Sequence, residues 1–269
     1  MKNKVIFLFC LIIITQFLII LSFIKKERAH APLPKPKIKT TEKTKVPVRL
    51  ARIAIVLDDW GYNLNNLSIL KEISYPLTVA VLPNLTYSNE VSVEAHRLNK
   101  EIILHLPMEP QASEKVRLEQ DTVMSGMSKD KIIAILNKGL INLSYASGVS
   151  NHMGSKLTQD EAAIRIIFEE IKKKKLFFLD SMTSKSVCKT IAKTIGVNFA
   201  WRSVFIDNIL DEAYIEQQIR LLVRKAKLSG SAIGIGHDRR PTLAALKRLM
   251  PEIEKAEGVK FVFVSELAD

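Results

Sequence analysis

Short apolar runs alternate with longer amphipathic stretches from residue 52 onward. This alternation is typical of an α/β fold in which helices join parallel strands. Eight such runs fall within residues 51–269. They favour a distorted or incomplete (β/α) barrel of seven to eight parallel strands, with an open doubly wound sheet as the alternative. The predicted strands lie near residues 52–57, 77–82, 101–106, 147–151, 176–180, 198–206, 231–236 and 260–264.

Apolar residues recur at intervals of three and four between the predicted strands, which indicates amphipathic helices. Ile215, Ile219 and Leu222 show this spacing. Thr158 and Glu161 are spaced as a capping box, so we expect them to begin one of the helices. The clearest predicted helices span residues 129–143, 159–174, 211–228 and 241–256.

Side chains that can carry out catalysis stand where the predicted strands end. The carboxyl ends of parallel strands meet at one rim, so residues far apart in sequence are expected to face one cavity there. Of the five histidines, only His30 and His96 lie elsewhere. The six side chains at predicted strand ends are Asp58, Asp59, His105, His152, Asp180 and His237.

The residues before this pattern predict a membrane anchor. Residues 5–24 carry no charge, and a helix of this length spans roughly 30 Å, the thickness of a bilayer core. We therefore assign residues 1–28 to an N-terminal transmembrane helix, with a cleaved signal segment as the alternative. Residues 29–50 are rich in Pro and Lys and are expected to form an extended linker, which leaves residues 51–269 as the catalytic domain.

The basic excess of the chain is confined to its first part. The formal net charge is +12, but residues 1–52 hold 12 Lys and Arg against two acids, whereas residues 53–269 hold 28 against 26. A nearly neutral body gives no reason to expect nucleic-acid binding. Cys188 is the one cysteine of this body, so no internal disulfide is expected there.

The strand-end residues are suited to binding a metal ion. One carboxylate and two imidazoles around an open position form a common set for catalytic zinc or another divalent ion. Taken singly, an Asp at a strand end commonly caps a helix, and a His there commonly makes a structural hydrogen bond. A dication explains the adjacent Asp58 and Asp59, since one ligates it while the other stays ionised nearby. Both reach one site only if the strand ends at this pair.

Five motifs, LDDWGY, LHLPMEP, NHMGS, FLDSMTS and GIGHDRRPTL, follow one another over residues 50–269. In these motifs the sequence resembles the divergent polysaccharide deacetylases, which are related to the nodulation-type carbohydrate deacetylases with their metal-bearing, distorted (β/α) barrel. The resemblance implies that Asp59 binds a divalent metal, and the type of ligand favours zinc. It also implies that Asp58 is the general base and His237 the general acid.

The family's second motif, His-x-x-x-His, is incomplete here, because His105 is followed four residues later by Glu109. The third ligand is therefore Glu109 or His152, and we favour His152 because neutral imidazole is the commoner zinc ligand. Asp180 is a candidate to orient His237 or a ligand imidazole. The candidates for substrate binding are Glu109, Asn151, Ser181 and Arg240.

The resemblance implies a hydrolase of carbon–nitrogen bonds that removes N-acetyl groups from envelope polysaccharide. An inactive glycan-binding or scaffold module is the second hypothesis, because of Glu109, and a metal-dependent phosphoesterase is the third. We expect a membrane-anchored domain outside the cytoplasm, in the periplasm or at the cell surface, or a cleaved and secreted form, even though the basic residues after residue 24 favour a cytoplasmic body. Residues 107–127 are expected to lie over the rim as part of the substrate cleft.

Overall fold

The computed structural model describes residues 50–182 and 185–269, together with Thr15, Gln16, Leu18, Ile19 and Ser22. The chain divides into two units, Met1–Val48 and Arg49–Asp269, and the second unit carries the sheet and its connecting helices. The predicted anchor at residues 1–28 and linker at residues 29–50 lie outside the described residues, apart from those five and Leu50. No helix within the described part is long and apolar enough to cross a membrane.

The described residues of the second unit form one sheet of nine parallel strands. The strands are β1 (Ala51–Trp60), β2 (Thr78–Val81), β3 (Glu101–Met108), β4 (Ala146–Met153), β5 (Phe177–Asp180), β6 (Phe199–Trp201), β7 (Val204–Phe205), β8 (Ser231–His237) and β9 (Val259–Val262). Eight follow the order β6-β5-β4-β3-β2-β1-β8-β7, and β9 pairs with the first residues of β1. The parallel α/β architecture expected from the alternating pattern is confirmed.

The predicted strand at residues 198–206 is two strands that lie on opposite edges of the sheet. β6 pairs with β5, whereas β7 pairs with β8. Only Arg202 and Ser203 join them: the Arg202 N–H donates to the Asp180 carbonyl at 3.0 Å, and the Ser203 N–H donates to the Ile233 carbonyl at 2.8 Å. No ladder between β6 and β7 is among the described pairings. The barrel is therefore incomplete, with its seam between these two strands.

Seven α-helices connect the described strands. The four clearest predictions correspond to α3, α4, α6 and α7, each within two residues of the expected ends. Residues 112–114, 157–159 and 264–266 form short 3₁₀ turns. The helices are α1 (Leu67–Lys71), α2 (Ser88–Arg97), α3 (Lys129–Asn142), α4 (Glu161–Lys173), α5 (Cys188–Ile195), α6 (Glu212–Ser229) and α7 (Arg240–Glu257).

The predicted capping box at the start of α4 is wrong. The Thr158 hydroxyl donates to the Gly154 carbonyl at 2.7 Å instead of capping the helix. Asp160 is the N-cap, and its carboxylate accepts the Ala163 N–H at 3.1 Å. The reason is local, because residues 157–159 form a 3₁₀ turn that carries the chain past Thr158 before the helix begins.

The two faces of the sheet bury different residues. On β1, Ile55 and Leu57 belong to the large core between sheet and helices, whereas Ala54 and Val56 belong to a smaller core on the inner face. Successive strand residues point to opposite faces, so Asp58 continues the inner row of Ala54 and Val56. β1 enters the barrel at Ala51, at the end opposite this polar residue.

The same parity brings the histidines to the inner face at the rim. His105 follows the inner-core residue Ile103 by two positions on β3, and His237 follows the inner-core residue Ile235 by two positions on β8. Asp58 and His237 are register partners on adjacent strands. The apolar inner core therefore ends in a polar layer at the carboxyl rim, which is where sites lie in barrels of this kind.

Candidate metal centre and active site

Asp59 faces the site because β1 is irregular at this residue. The register between β1 and β2 shifts between Leu57 and Trp60, and Asp59 has φ of 66°. Aspartate adopts this left-handed conformation more readily than most residues. The strand therefore continues through Trp60 and does not end at the aspartate pair as expected. The irregularity itself brings both carboxylates to one side.

Asp59, His105 and His152 bring three ligand atoms together. The Asp59 Oδ1 lies 2.9 Å from the His152 Nδ1 and 3.3 Å from the His105 Nε2. The same two ring nitrogens are 3.3 Å apart. One ligand atom from each residue lies within 4.8 Å of the others. The three predicted ligands, including His152, thus form one group at the rim.

Ser150 positions His105 within this group. The His105 Nδ1 lies 2.8 Å from the Ser150 Oγ, and both side chains are buried. A hydrogen bond from Nδ1 to the hydroxyl leaves Nε2 as the ring atom that faces Asp59, which is the usual way in which a ligand imidazole is oriented.

The two adjacent aspartates differ in acidity. Burial opposes charge on Asp59, but hydrogen bonds from His105 and His152 outweigh burial and hold the pKa of Asp59 well below its usual range. For Asp58, burial raises the pKa above its usual value, although the His105 charge opposes this. Asp58 is therefore the more basic carboxylate, and its Oδ1 is buried without a hydrogen-bond partner among the described residues.

These residues fit a divalent metal ion. A metal ligand must be deprotonated, which the low pKa of Asp59 satisfies near neutral pH. One carboxylate oxygen and two imidazole nitrogens are donors that suit zinc and other borderline divalent ions. Asp58 stands beside this set, 3.6 Å from the His105 Nε2, with an oxygen available for a proton.

His237 is held by Asp207, which has the orienting role predicted from the sequence for Asp180. The His237 Nδ1 lies 2.7 Å from Asp207 Oδ1, and the His237 N–H donates to Oδ2 at 2.8 Å. The Thr242 hydroxyl also donates to Oδ2, at 2.7 Å. Burial lowers the pKa of His237, but the buried Asp207 carboxylate outweighs burial and the net effect raises that pKa. An imidazole with a raised pKa is suited to deliver a proton.

Asp180 instead shapes the turn after β5. Its Oδ1 accepts the Met182 N–H at 2.7 Å, and burial raises its pKa. Arg202 lies across the same turn, where its guanidinium donates to the carbonyls of Ser181 at 2.7 Å and Met182 at 2.8 Å. Arg202 also interacts electrostatically with Asp58. It therefore brings a positive charge to the seam side of the rim.

Asn151 and Ser181, predicted to bind substrate, bind each other. The Asn151 Oδ1 accepts the Ser181 N–H at 2.8 Å, and the Ser181 hydroxyl donates to the Asn151 carbonyl at 3.0 Å. The Asn151 amide also donates to the Met153 carbonyl at 2.7 Å. Both side chains are buried. Their evident role is to join the ends of β4 and β5 beneath the rim.

Glu109 lies outside the three-residue group. Its Oε1 accepts from the Lys156 ammonium at 2.7 Å, and its Oε2 accepts the Ser125 N–H at 2.7 Å. It thus ties residues 107–127 to the turn after β4. Arg240, the other predicted substrate contact, is an exposed residue at the start of α7, and no described hydrogen bond links it to the group.

A cavity of about 620 Å³ borders His152. Residues 116–120 form one wall, so part of the irregular segment at 107–127 lies over the rim, as expected. The remaining lining comes from the turns after β1 and β2 and from the last two residues of β4. The lining residues are Tyr62, Pro83, Asn84, Leu85, Val116, Arg117, Leu118, Glu119, Gln120, His152 and Met153.

Asp207 and Ser150 are the site residues that sequence reasoning missed. Asp207 directly follows the predicted strand at 198–206. The rule that selected the other strand-end residues therefore also selects Asp207. Ser150 carries no such signal, because a serine inside a strand is ordinary and only the register between β3 and β4 places it beside His105.

The fold and the site together define an α/β barrel with a hydrolase-type metal centre at its carboxyl rim. Residues 55–268 match the family model described as divergent polysaccharide deacetylase. Because this match spans most of the sequence, the chain belongs to the divergent polysaccharide deacetylase family, as the motifs indicated.

Three relatives extend this comparison. The uncharacterized protein YibQ of Escherichia coli K12 is 34% identical over 205 residues, which cover 76% of this chain and 64% of YibQ. An uncharacterized protein of Haemophilus influenzae is 34% identical over 206 residues, which cover 75% of this chain and 73% of the Haemophilus protein. The crystal structure of the uncharacterized protein ATU2773 from Agrobacterium tumefaciens C58 has a TM-score of 0.76 at 25% identity, covering 82% of this chain and 91% of that one.

Proposed function

We propose that the protein is a metal-dependent hydrolase that removes N-acetyl groups from envelope carbohydrate. The observation that supports this most strongly is the grouping of Asp59, His105 and His152 within 4.8 Å, with Asp58 beside it and His237 on the adjacent strand. Membership of the divergent polysaccharide deacetylase family supports the same chemistry.

The reaction adds water across an amide. The water oxygen bonds to the acyl carbon, the carbon–nitrogen bond breaks, and a proton goes to the departing nitrogen. Asp59, His105 and His152 would hold the metal ion, which when bound lowers the pKa of water to about 7 and polarises a carbonyl. Asp58 is placed to accept the proton of the attacking water, because its pKa is raised by burial and its Oδ1 has no described hydrogen-bond partner.

His237 would supply the proton to the departing amine. Its Nδ1 is held by Asp207, so Nε2 is the nitrogen left to face the substrate. The Asp207 carboxylate stabilises the protonated ring and fixes its orientation. The acid and the base therefore stand on neighbouring strands, at the register pair Asp58 and His237.

The proposal is tested with the purified full-length protein and N-acetylglucosamine oligomers. Elemental analysis should find about one divalent metal per chain, and acetate release should depend on that metal. The Asp58→Asn variant should retain the metal and lose roughly 10²–10⁴-fold in kcat/KM, the range for a general base. A protein that holds no metal, or an Asp58→Asn variant with unchanged acetate release, would contradict the proposal.

A non-catalytic glycan-binding module is the second candidate, favoured by the engagement of Glu109 with Lys156 and Ser125 in place of a second motif histidine. Bound metal and glycan affinity without acetate release would identify it. Hydrolysis of a phosphodiester by the metal-loaded protein would instead identify the phosphoesterase. Our proposal also locates the domain outside the cytoplasm, where envelope carbohydrate lies. A reporter fused after residue 50 that works on one side of the membrane only tests this location.

A further inference from the structure

The cavity beside His152 is larger than an acetyl group requires. Its volume of about 620 Å³ lies within the range of sites for whole small molecules, about 300–1,000 Å³, whereas an acetyl group adds one methyl group beyond its carbonyl. The cavity adjoins the three-residue group directly, because His152 belongs to both. A substrate whose carbonyl lies at this group therefore has room to extend into the cavity.

The position of His237 decides which end of the substrate extends there. The amide nitrogen must lie near His237 to receive its proton, and His237 sits on β8. The cavity is lined from the turns after β1 and β2, from the end of β4 and from residues 116–120, without any residue of β7 or β8. On the carbonyl carbon, the acyl chain points away from the nitrogen. The sugar would therefore lie on the β8 side, and the acyl chain on the cavity side.

Part of the cavity wall is apolar and suits an aliphatic chain. Five of the eleven lining side chains are apolar: Pro83, Leu85, Val116, Leu118 and Met153. The other six are polar or charged: Tyr62, Asn84, Arg117, Glu119, Gln120 and His152. Among the polar ones, the Tyr62 hydroxyl donates to the Glu119 carboxylate, so these two groups satisfy each other across the wall. Leu118 is 40% exposed and Val116 is 43% exposed. Both retain apolar surface that a bound chain could cover.

We propose that this cavity receives the acyl chain of the substrate and that the protein prefers N-acyl groups longer than acetyl. The inference rests on the proposed hydrolysis of an N-acyl amino sugar and adds the length of the acyl group. Each methylene that the cavity buries strengthens binding by up to about fourfold, the equivalent of about 0.8 kcal/mol.

Hydroxamic acids test the cavity without requiring turnover. Acetohydroxamic, butyrohydroxamic and hexanohydroxamic acids carry the same metal-binding group and differ only in chain length. Calorimetric titration of the zinc-loaded full-length protein should give a Kd that falls at least tenfold from the acetyl to the hexanoyl compound. The Leu118→Trp variant, which fills the cavity, should abolish this gain. The matched Leu228→Trp variant should keep it, because Leu228 is 88% exposed at the end of α6.

The outcomes separate this inference from the proposed function. Equal Kd values across the three compounds, or a chain-length gain that survives Leu118→Trp, would overturn the acyl-chain assignment while leaving the metal centre intact. Failure of all three compounds to bind would overturn both. Hydrolysis gives a second readout: N-hexanoylglucosamine should have a higher kcat/KM than N-acetylglucosamine. Leu118→Trp should lower the ratio of the first value to the second.

Discussion

Replacing Asp207 by Asn should lower the pKa of His237 by about 1–2 units. The carboxylate is fully buried and accepts from the ring, from the His237 backbone and from Thr242. Asparagine keeps the shape and removes the charge. A hydrogen bond to a charged group contributes about 1.5–3 kcal/mol, and one pKa unit corresponds to about 1.36 kcal/mol. The expected shift follows from this ratio.

The shift is measured by the NMR titration of the His237 ring and by the pH dependence of kcat/KM. A general acid must be protonated, so activity falls as the pH rises through the pKa of His237, which is raised in the native protein. In Asp207→Asn this fall should occur about 1–2 units lower. Thr242→Val is the matched control, because it removes one hydrogen bond to Asp207 and no charge. It should shift the curve much less.

The same pair makes a prediction about stability. The pKa of Asp207 is lowered in the folded protein, because its hydrogen bond to His237 outweighs burial. The stability that Asp207 contributes is therefore fully present above its unfolded-state pKa of about 3.9, and it is lost as the pH falls through the folded-state pKa. The stabilisation that comes with the raised pKa of His237 is fully present below about pH 6.5 and is lost as the pH rises through the folded-state pKa. Asp207→Asn should destabilise most near pH 5. An unchanged His237 titration in this variant would refute the reasoning.

Three further outcomes are expected. His152→Ala should lower the metal content several-fold in elemental analysis, whereas His96→Ala, on the exposed face of α2, should not; equal metal in both would remove His152 from the ligand set. Glu109→Gln should leave the metal content unchanged but speed hydrogen exchange at residues 110–125, because it weakens the ion pair with Lys156; a lower metal content or an unchanged exchange rate would contradict this. Cys188 should react with a thiol reagent only after unfolding, because it is fully buried and burial raises the pKa of its thiol; fast labelling of the folded protein would contradict this.

Strand ends were predictable from the sequence because the period of the apolar residues marks where each strand stops. That rule alone brought Asp58, His105, His152 and His237 to one rim, and the same rule covers Asp207 once the strand end at residue 206 is included. These residues depend on topology, and topology follows from the alternation of strands and helices.

Details below the level of topology were not predictable in the same way. The direction of Asp59 depends on a single positive φ inside β1, which no period of two encodes. Asn151 and Ser181 also stand at strand ends, but each side chain makes a hydrogen bond to the backbone of the other residue. Which polar groups at a rim pair internally and which face the cavity is decided by distances of about one ångström, and a sequence does not carry these.

The path of β1 has a practical consequence. Its ten residues run from Ala51 at one end of the barrel to the reactive layer at the other, a length of about 33 Å at about 3.3 Å per residue. A bead, sensor chip or fluorophore attached at residue 50 therefore joins the barrel at the end opposite the polar layer. Attachment at this end leaves the polar layer at the opposite rim accessible to a bulky polymer.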